Sequence, residues 1–143
     1  MDRSSFFQKL LEIEIPVYEK TSISFTATDP QTKTLSLSPA AGKTWHISKV
    51  RAWTDEAPPD NTNAGSKTDI DIYINGTSDQ IAKSYESEQI GSTYNTCGIA
   101  IDCLSTYGQR LVITETANGV YITATKTGSG THKLYLQVEG TEI

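Results

Sequence analysis

Residues 111–138 read LVITETANGVYITATKTGSGTHKLYLQV, and apolar and polar side chains alternate in them through three runs separated by turn formers. Leu111 and Ile113 form the first run. Val120, Ile122 and Ala124 follow Asn118-Gly119, and Leu134, Leu136 and Val138 follow the Gly-Ser-Gly at 128–130. A period of two belongs to strands with one dry and one wet face, and Asn-Gly between such runs is a strong hairpin signal. The stretch predicts a three-strand meander in which Val120 pairs with Val138, Ile122 with Leu136 and Ala124 with Leu134. Tyr121, Thr123, Thr125, Tyr135, Gln137 and Glu139 are left on the wet face. Such a sheet must cover its dry face with another, so the expected fold is an all-β antiparallel β-sandwich.

The same alternation runs upstream. Ile70, Ile72 and Ile74 alternate with Asp69, Asp71 and Tyr73 and end at Asn75-Gly76, so a hairpin should return through Ile81 and Ala82. In WHISKVRAWT, Trp45 and Ile47 have one parity and Val50 and Ala52 the other. A bulge near Ser48 or Lys49 would turn both pairs to the core. Ile23, Phe25 and Ala27 lead through Asp29-Pro30 to Leu35 and Leu37, which predicts a first hairpin. Residues 55–68 have no periodic apolar residue and form an expected exposed loop. Ser5 and Gln8 have capping-box spacing, with Phe6, Phe7, Leu10 and Leu11 on one side of a short helix. Leu11, Ile13, Ile15 and Val17 then alternate as an extended stretch. The division is an N-terminal arm over 1–20, short helix or extended, and a sandwich over 21–143.

The chain has 143 residues, which suffice for one core without staples or metals. Its 12 Lys and Arg against 17 Asp and Glu give a charge of −5, which argues against a nucleic-acid partner because counterion release needs a clustered basic face. No run of ~18 apolar residues predicts a membrane span, and the start lacks an apolar secretory stretch, so synthesis in a cytoplasm is expected. Cys97 and Cys103 bracket an alternating CGIAIDC read as one strand. At ~3.3 Å per residue they stand ~20 Å apart, too far for a disulfide, and are expected to be buried thiols.

Catalytic patterns are missing: the chain has no G-x-S-x-G, H-E-x-x-H, P-loop or G-x-G-x-x-G. His46 and His132 are expected to face outward rather than serve a triad. Asp69 and Asp71 read as the wet side of a strand rather than a carboxylate pair or calcium site, and DNTNAG at 60–65 places Thr62 and Ala64 where ligand oxygens would be needed. No enzyme activity, metal or cofactor is expected. The outward aromatics Trp53, Tyr73, Tyr121 and Tyr135 suit either sugar stacking or contact with another subunit.

From residue 42 onward the order of signals is GKTWHISKVRAW, a Pro/Asn loop, TDIDIYINGT, CGIAIDC, GQRLVITETANG and THKLYLQVEGTEI. This order resembles the jelly-roll structural proteins in virions of tailed phages and related viruses, such as decoration proteins, head fibres and tail-associated subunits. The resemblance implies a jelly-roll-like sandwich without enzymatic activity, located in the virion after assembly in the host cytoplasm. Its partners would be copies of itself, often as a homotrimer, and the major capsid or other virion proteins. The apolar cluster Phe6, Phe7, Leu10 and Leu11 would then pack on a neighbour. The rival reading is a carbohydrate-binding β-sandwich module that stacks a glycan on Trp53, Tyr73, Tyr121 or Tyr135. A glycan receptor for a virion subunit would combine the two.

Overall fold

A computed structural model describes residues 15–54, 67–77, 79–84, 89–90, 93–94, 98–115, 119–128 and 131–143. The strands are β1 (Ile15–Ser24), β2 (Gln31–Leu37), β3 (Thr44–Thr54), β4 (Lys67–Ile74), β5 (Gln80–Ser84), β6 (Gln89–Ile90), β7 (Thr93–Tyr94), β8 (Gly98–Asp102), β9 (Leu111–Thr114), β10 (Val120–Thr127) and β11 (Lys133–Glu142), with one short helix, α1 (Cys103–Tyr107), between β8 and β9. One sheet runs β1-β11-β3-β8, with β9 on the β8 side of β3, and the other runs β2-β10-β4-β5. A separate ribbon pairs β6 with β7.

The pairs β1:β11, β2:β10, β3:β8 and β4:β5 are the rungs of one long folded-over hairpin. Rolling that hairpin sets β11 against β3 and β10 against β4, which is the jelly-roll connectivity. The fold is therefore an all-β antiparallel sandwich. Between its layers lie Ile47, Val50, Ile70, Ile72, Ile113, Val120, Ile122, Leu134, Leu136 and Val138, all at most 1% exposed.

This connectivity corrects two expected pairings. The last-third meander does not form, because β9 and β11 belong to the first sheet and β10 to the second. Val120, Ile122 and Ala124 do share a core with Leu134, Leu136 and Val138, but from opposite layers. Alternation states which side of a strand is dry and is silent about which sheet holds it. For the same reason Asp29-Pro30 does not close a hairpin: β1 pairs with β11 and β2 with β10, so the link crosses between layers.

Lys126 anchors that crossing. It occupies an inward position of β10 at 0% exposure, and its ammonium donates to the carbonyl oxygens of Thr26 (2.8 Å), Thr28 (3.0 Å) and Gly128 (2.6 Å). The three N–H donors thus match three acceptors. Burial pushes its pKa down, while the Asp29 carboxylate opposes the shift. Asp29 Oδ1 also accepts from Gly128 N at 2.9 Å, and Phe25 N donates to His132 O at 3.0 Å.

The β3 bulge falls where the parity switch requires it. Glu139 faces Lys49 and Gly140 faces Ile47, so Ser48 is the extra residue, and Trp45, Ile47, Val50 and Ala52 are all buried. Gly140 is needed there because a Cβ would overlap the His46 carbonyl oxygen and come within 2.8 Å of Ile47 Cα. The Asn75 hairpin between β4 and β5 forms with a longer connection than two residues, Ile74 N donating to Asp79 O at 3.1 Å. Asn75 takes φ 51° and is fixed by its amide, which donates to Val112 O at 3.0 Å and accepts from Thr114 N at 3.1 Å.

Three smaller expectations also change. Cys103 opens α1 rather than ending a strand, since Asp102 caps the helix by accepting from Leu104 N (3.1 Å) and Ser105 N (3.3 Å). His132 is buried at 6% exposure, its ring 5.2 Å from Phe25 and its Nε2 3.1 Å from Thr68 Oγ1. Lys67 and Thr68 belong to β4 rather than to the preceding loop. β1 pairs with β11 along its whole length. Phe6, Phe7, Leu10, Leu11, Cys97 and residues 55–66 lie outside the described residues.

Candidate functional site on the outer sheet faces

Each sheet has one face turned away from the core, and strand register fixes what stands there. On the first sheet, from β1 to β8, one row is Ser22, Tyr135, Trp53 and Gly98, and the next is Lys20, Gln137, Arg51 and Ala100. A third row is Tyr18, Glu139, Lys49 and Asp102, and the last is Pro16, Thr141, His46 and Val112.

Trp53 and Tyr135 stack with centroids 5.0 Å apart and planes 13° apart. Lys20 Nζ lies 4.9 Å from the Tyr135 centroid and 5.2 Å from that of Trp53, and Arg51 Cζ lies 4.4 Å from Trp53. At exposed sites such contacts contribute about 0.5–1 kcal/mol each. These rings are thus occupied by each other and by cations. A sugar could stack on them only by displacing Lys20 or Arg51. Beside them a depression of about 390 Å³ is lined by Lys49, Arg51, Ala100, Asp102, Gln137 and Glu139. Ala100 leaves it open, and charges of both signs line it.

At the far end of this sheet apolar side chains reach solvent. Tyr18 is 65% exposed, Ile143 59%, Ile15 57% and Val112 49%. Tyr18 on β1, Ile143 after β11 and Val112 on β9 share the outward parity, with Glu139, Thr141, Lys49 and His46 between them, whereas Ile15 has the inward parity of Val17 and stands at the β1 edge. Arg110 donates to Thr141 Oγ1 at 3.1 Å within the same area. A second hollow, about 470 Å³, opens at the β1 edge among Ile15, Val17, Leu37, Trp45 and Glu142. Trp45 Nε1 donates to Glu142 Oε1 at 3.2 Å on its wall.

The second sheet presents a different surface. Ser36, Tyr121, Tyr73 and Gln80 form one row across β2, β10, β4 and β5. Thr34, Thr123, Asp71 and Lys83 form the next, followed by Thr32, Thr125 and Asp69. Tyr73 and Tyr121 have centroids 6.0 Å apart and planes tilted by 47°. Gln80 Nε2 donates to Asp71 Oδ1 at 2.9 Å, and the Thr32 and Thr125 hydroxyls are 3.0 Å apart.

The four predicted aromatics are therefore two pairs on opposite faces, Trp53 with Tyr135 and Tyr73 with Tyr121. The sequence reading missed the cations over the first pair and the exposed apolar end. Val112 carried the available signal: it lies between inward Leu111 and Ile113, so parity alone puts a valine outside. Among the described residues no group of three His, Cys, Asp or Glu is placed to hold a metal ion, and no helix is long and apolar enough to cross a membrane.

No protein-family model and no curated protein matches the chain. Solved structures similar to it include a chain of Desmodium yellow mottle tymovirus, at 7% identity and TM-score 0.44, covering 90% of this chain and 88% of that one. Another is the Clostridium thermocellum endo-1,4-beta-D-xylanase 10B fragment with CBM22-1 and GH10 modules complexed with xylohexaose, at 8% identity and TM-score 0.28, covering 92% and 27%. A third is infectious bursal disease virus Gx strain, at 11% identity and TM-score 0.24, covering 87% and 39%.

Proposed function

We propose that the protein is a non-enzymatic structural subunit of a virus particle, a capsid-associated decoration or head protein that assembles with copies of itself and docks on the major capsid protein or another virion protein. The class of protein comes from the motif order over residues 42–143. The observation that carries the reading is the apolar end of the first sheet, where Tyr18, Ile143, Ile15 and Val112 are 49–65% exposed. Single exposed apolar residues are ordinary. Tyr18, Val112 and Ile143 share the outward face within about three strand spacings, ~15 Å, interspersed with Glu139, Thr141 and His46, and such a mixture of apolar and polar side chains has the composition of a contact surface. The mixed charges of the adjoining depression add a means of setting register, since like charges brought together would oppose a misplaced neighbour.

Assembly follows in the host cytoplasm with reduced thiols, and the homotrimer is the state proposed. Light scattering on the full chain, combined with co-sedimentation on particles from the same source, tests both parts. The expected mass is three times the 15.6 kDa of one chain, with the protein pelleting alongside particles. A 15.6 kDa species that stays in the supernatant would overturn the proposal. The paired substitution Tyr18→Lys and Val112→Lys should yield a folded monomer, because both side chains already face solvent.

A further inference from the structure

The geometry points to a binding site for neutral oligosaccharides on the outer face of the second sheet, with Tyr73 and Tyr121 as the stacking rings and the Asp71–Gln80 pair as the hydroxyl-binding group. The two tyrosines occupy directly opposed positions of β4 and β10, both half-buried at the base. Their 47° tilt makes them two differently angled surfaces rather than one closed stack. On the other sheet, by contrast, Lys20 and Arg51 cover the faces of Trp53 and Tyr135. The C–H faces of a sugar ring suit an aromatic surface of this kind, and a flat strand pair holds it rigid before the ligand arrives.

Polar partners stand at the right spacing. Gln80 flanks Tyr73 across the strands and Asp71 precedes it by two residues along β4, at about 5 Å and about 7 Å respectively. Their 2.9 Å hydrogen bond holds an amide and a carboxylate side by side. A sugar hydroxyl both donates and accepts, so one carboxylate and one amide satisfy it without a cation. Thr123 follows Tyr121 along β10 and adds a hydroxyl in the same row as Asp71. Asp71, the carboxylate of the hydroxyl-binding pair, would repel an anionic group brought to the same position, which assigns the site to uncharged glycans. This face is opposite the apolar end used for assembly, so the site stands or falls independently of the virion reading.

The test is a broad panel of neutral and anionic oligosaccharides probed with the full chain, followed by titration of any ligand found. Neutral ligands should bind, and the affected amide NMR signals should fall on β4, β5 and β10. Tyr73→Thr and Tyr121→Thr retain strand propensity and remove the ring, and each should weaken binding about tenfold or more. Tyr73→Phe should keep binding, Asp71→Asn should weaken it, and Tyr18→Ala on the other sheet should leave it unchanged. Absence of any neutral ligand at millimolar concentration, binding confined to anionic glycans, or unchanged affinity in folded Tyr121→Thr would each overturn the site. The NMR map of the unaltered protein decides the location even if a variant fails to fold.

Discussion

Lys126 shows how a single side chain can hold two layers together. Its ammonium takes three carbonyl oxygens, from Thr26, Thr28 and Gly128, at 2.6–3.0 Å. Lys126→Met fills the same space and leaves those acceptors without it, so a loss of about 2–4 kcal/mol is expected in urea unfolding. An unchanged midpoint would show that water replaces the ammonium at no cost. The residue was legible in part: after Val120, Ile122 and Ala124 it is the next inward position, and a lysine there is an exception calling for acceptors. Which acceptors was not legible, because two of the three, Thr26 and Thr28, lie about 100 residues away in a link between sheets. Cys103 supplies a prediction with a sign. Burial holds its thiol pKa above the ordinary 9.0. Below pH 9.0 the thiol is protonated in both states and contributes no slope. Above it the unfolded thiol ionises before the folded one, so stability falls as pH rises. In a Cys97→Ser background, Cys103→Ala should flatten this alkaline loss, measured as urea midpoints between pH 8 and pH 10. Parallel pH curves for the two proteins would remove the assignment. The same buried thiol should react with Ellman's reagent only on unfolding.

Elements were easier to read than their pairing. The bulge at Ser48 was written in the parity change between Trp45-Ile47 and Val50-Ala52, and the structure places the extra residue there. Deleting Ser48 would make Lys49 follow Ile47 directly and bring Trp45, Ile47, Val50 and Ala52 into one regular alternation, so all four keep the core face without a bulge. Such a chain should still give soluble folded protein with its core face intact, and an insoluble or unfolded product would show that the bend of the bulge itself is required, while Ser48→Ala, which loses one 3.1 Å bond to Glu139 O, should cost only about 1 kcal/mol. Gly140→Ala presses a Cβ on the backbone of the same bulge, and about 2–3 kcal/mol of destabilisation is expected by thermal or urea unfolding. Recovery of full stability in that variant would mean the strands separate freely there. The short helix α1 was missed although both its ends were present in the sequence, Asp102 as N-cap and Gly108 at φ 72° after it. Five residues are too few for an apolar period, so only the capping residues carried the signal.

On the scale of the whole molecule, local alternation settled the sandwich and left the sheet assignments open. Partners such as β1 and β11 are separated by most of the chain, and nothing in either strand alone names the other. The candidate surfaces share that limit: Tyr73 and Tyr121 were visible as outward rings, but their opposition across β4 and β10 needs the rolled hairpin. The remaining assembly prediction concerns residues 1–12, with Phe6, Phe7, Leu10 and Leu11 among them. β1 begins at Ile15 and its ladder to β11 involves only residues 15–24, so deletion of 1–12 removes no described pairing. The truncated chain should keep its β-sheet circular dichroism and unfold cooperatively. Burying each of the four side chains on a neighbour contributes about 1.5–3 kcal/mol before the costs of association are subtracted. If the segment packs on another subunit, its loss should weaken self-association at least about a hundredfold, read as a fall in weight-average mass on dilution. A truncated protein that assembles like the full chain would confine the contact to Tyr18, Val112 and Ile143, and the lysine-substituted sheet face would then be the variant expected to fall apart.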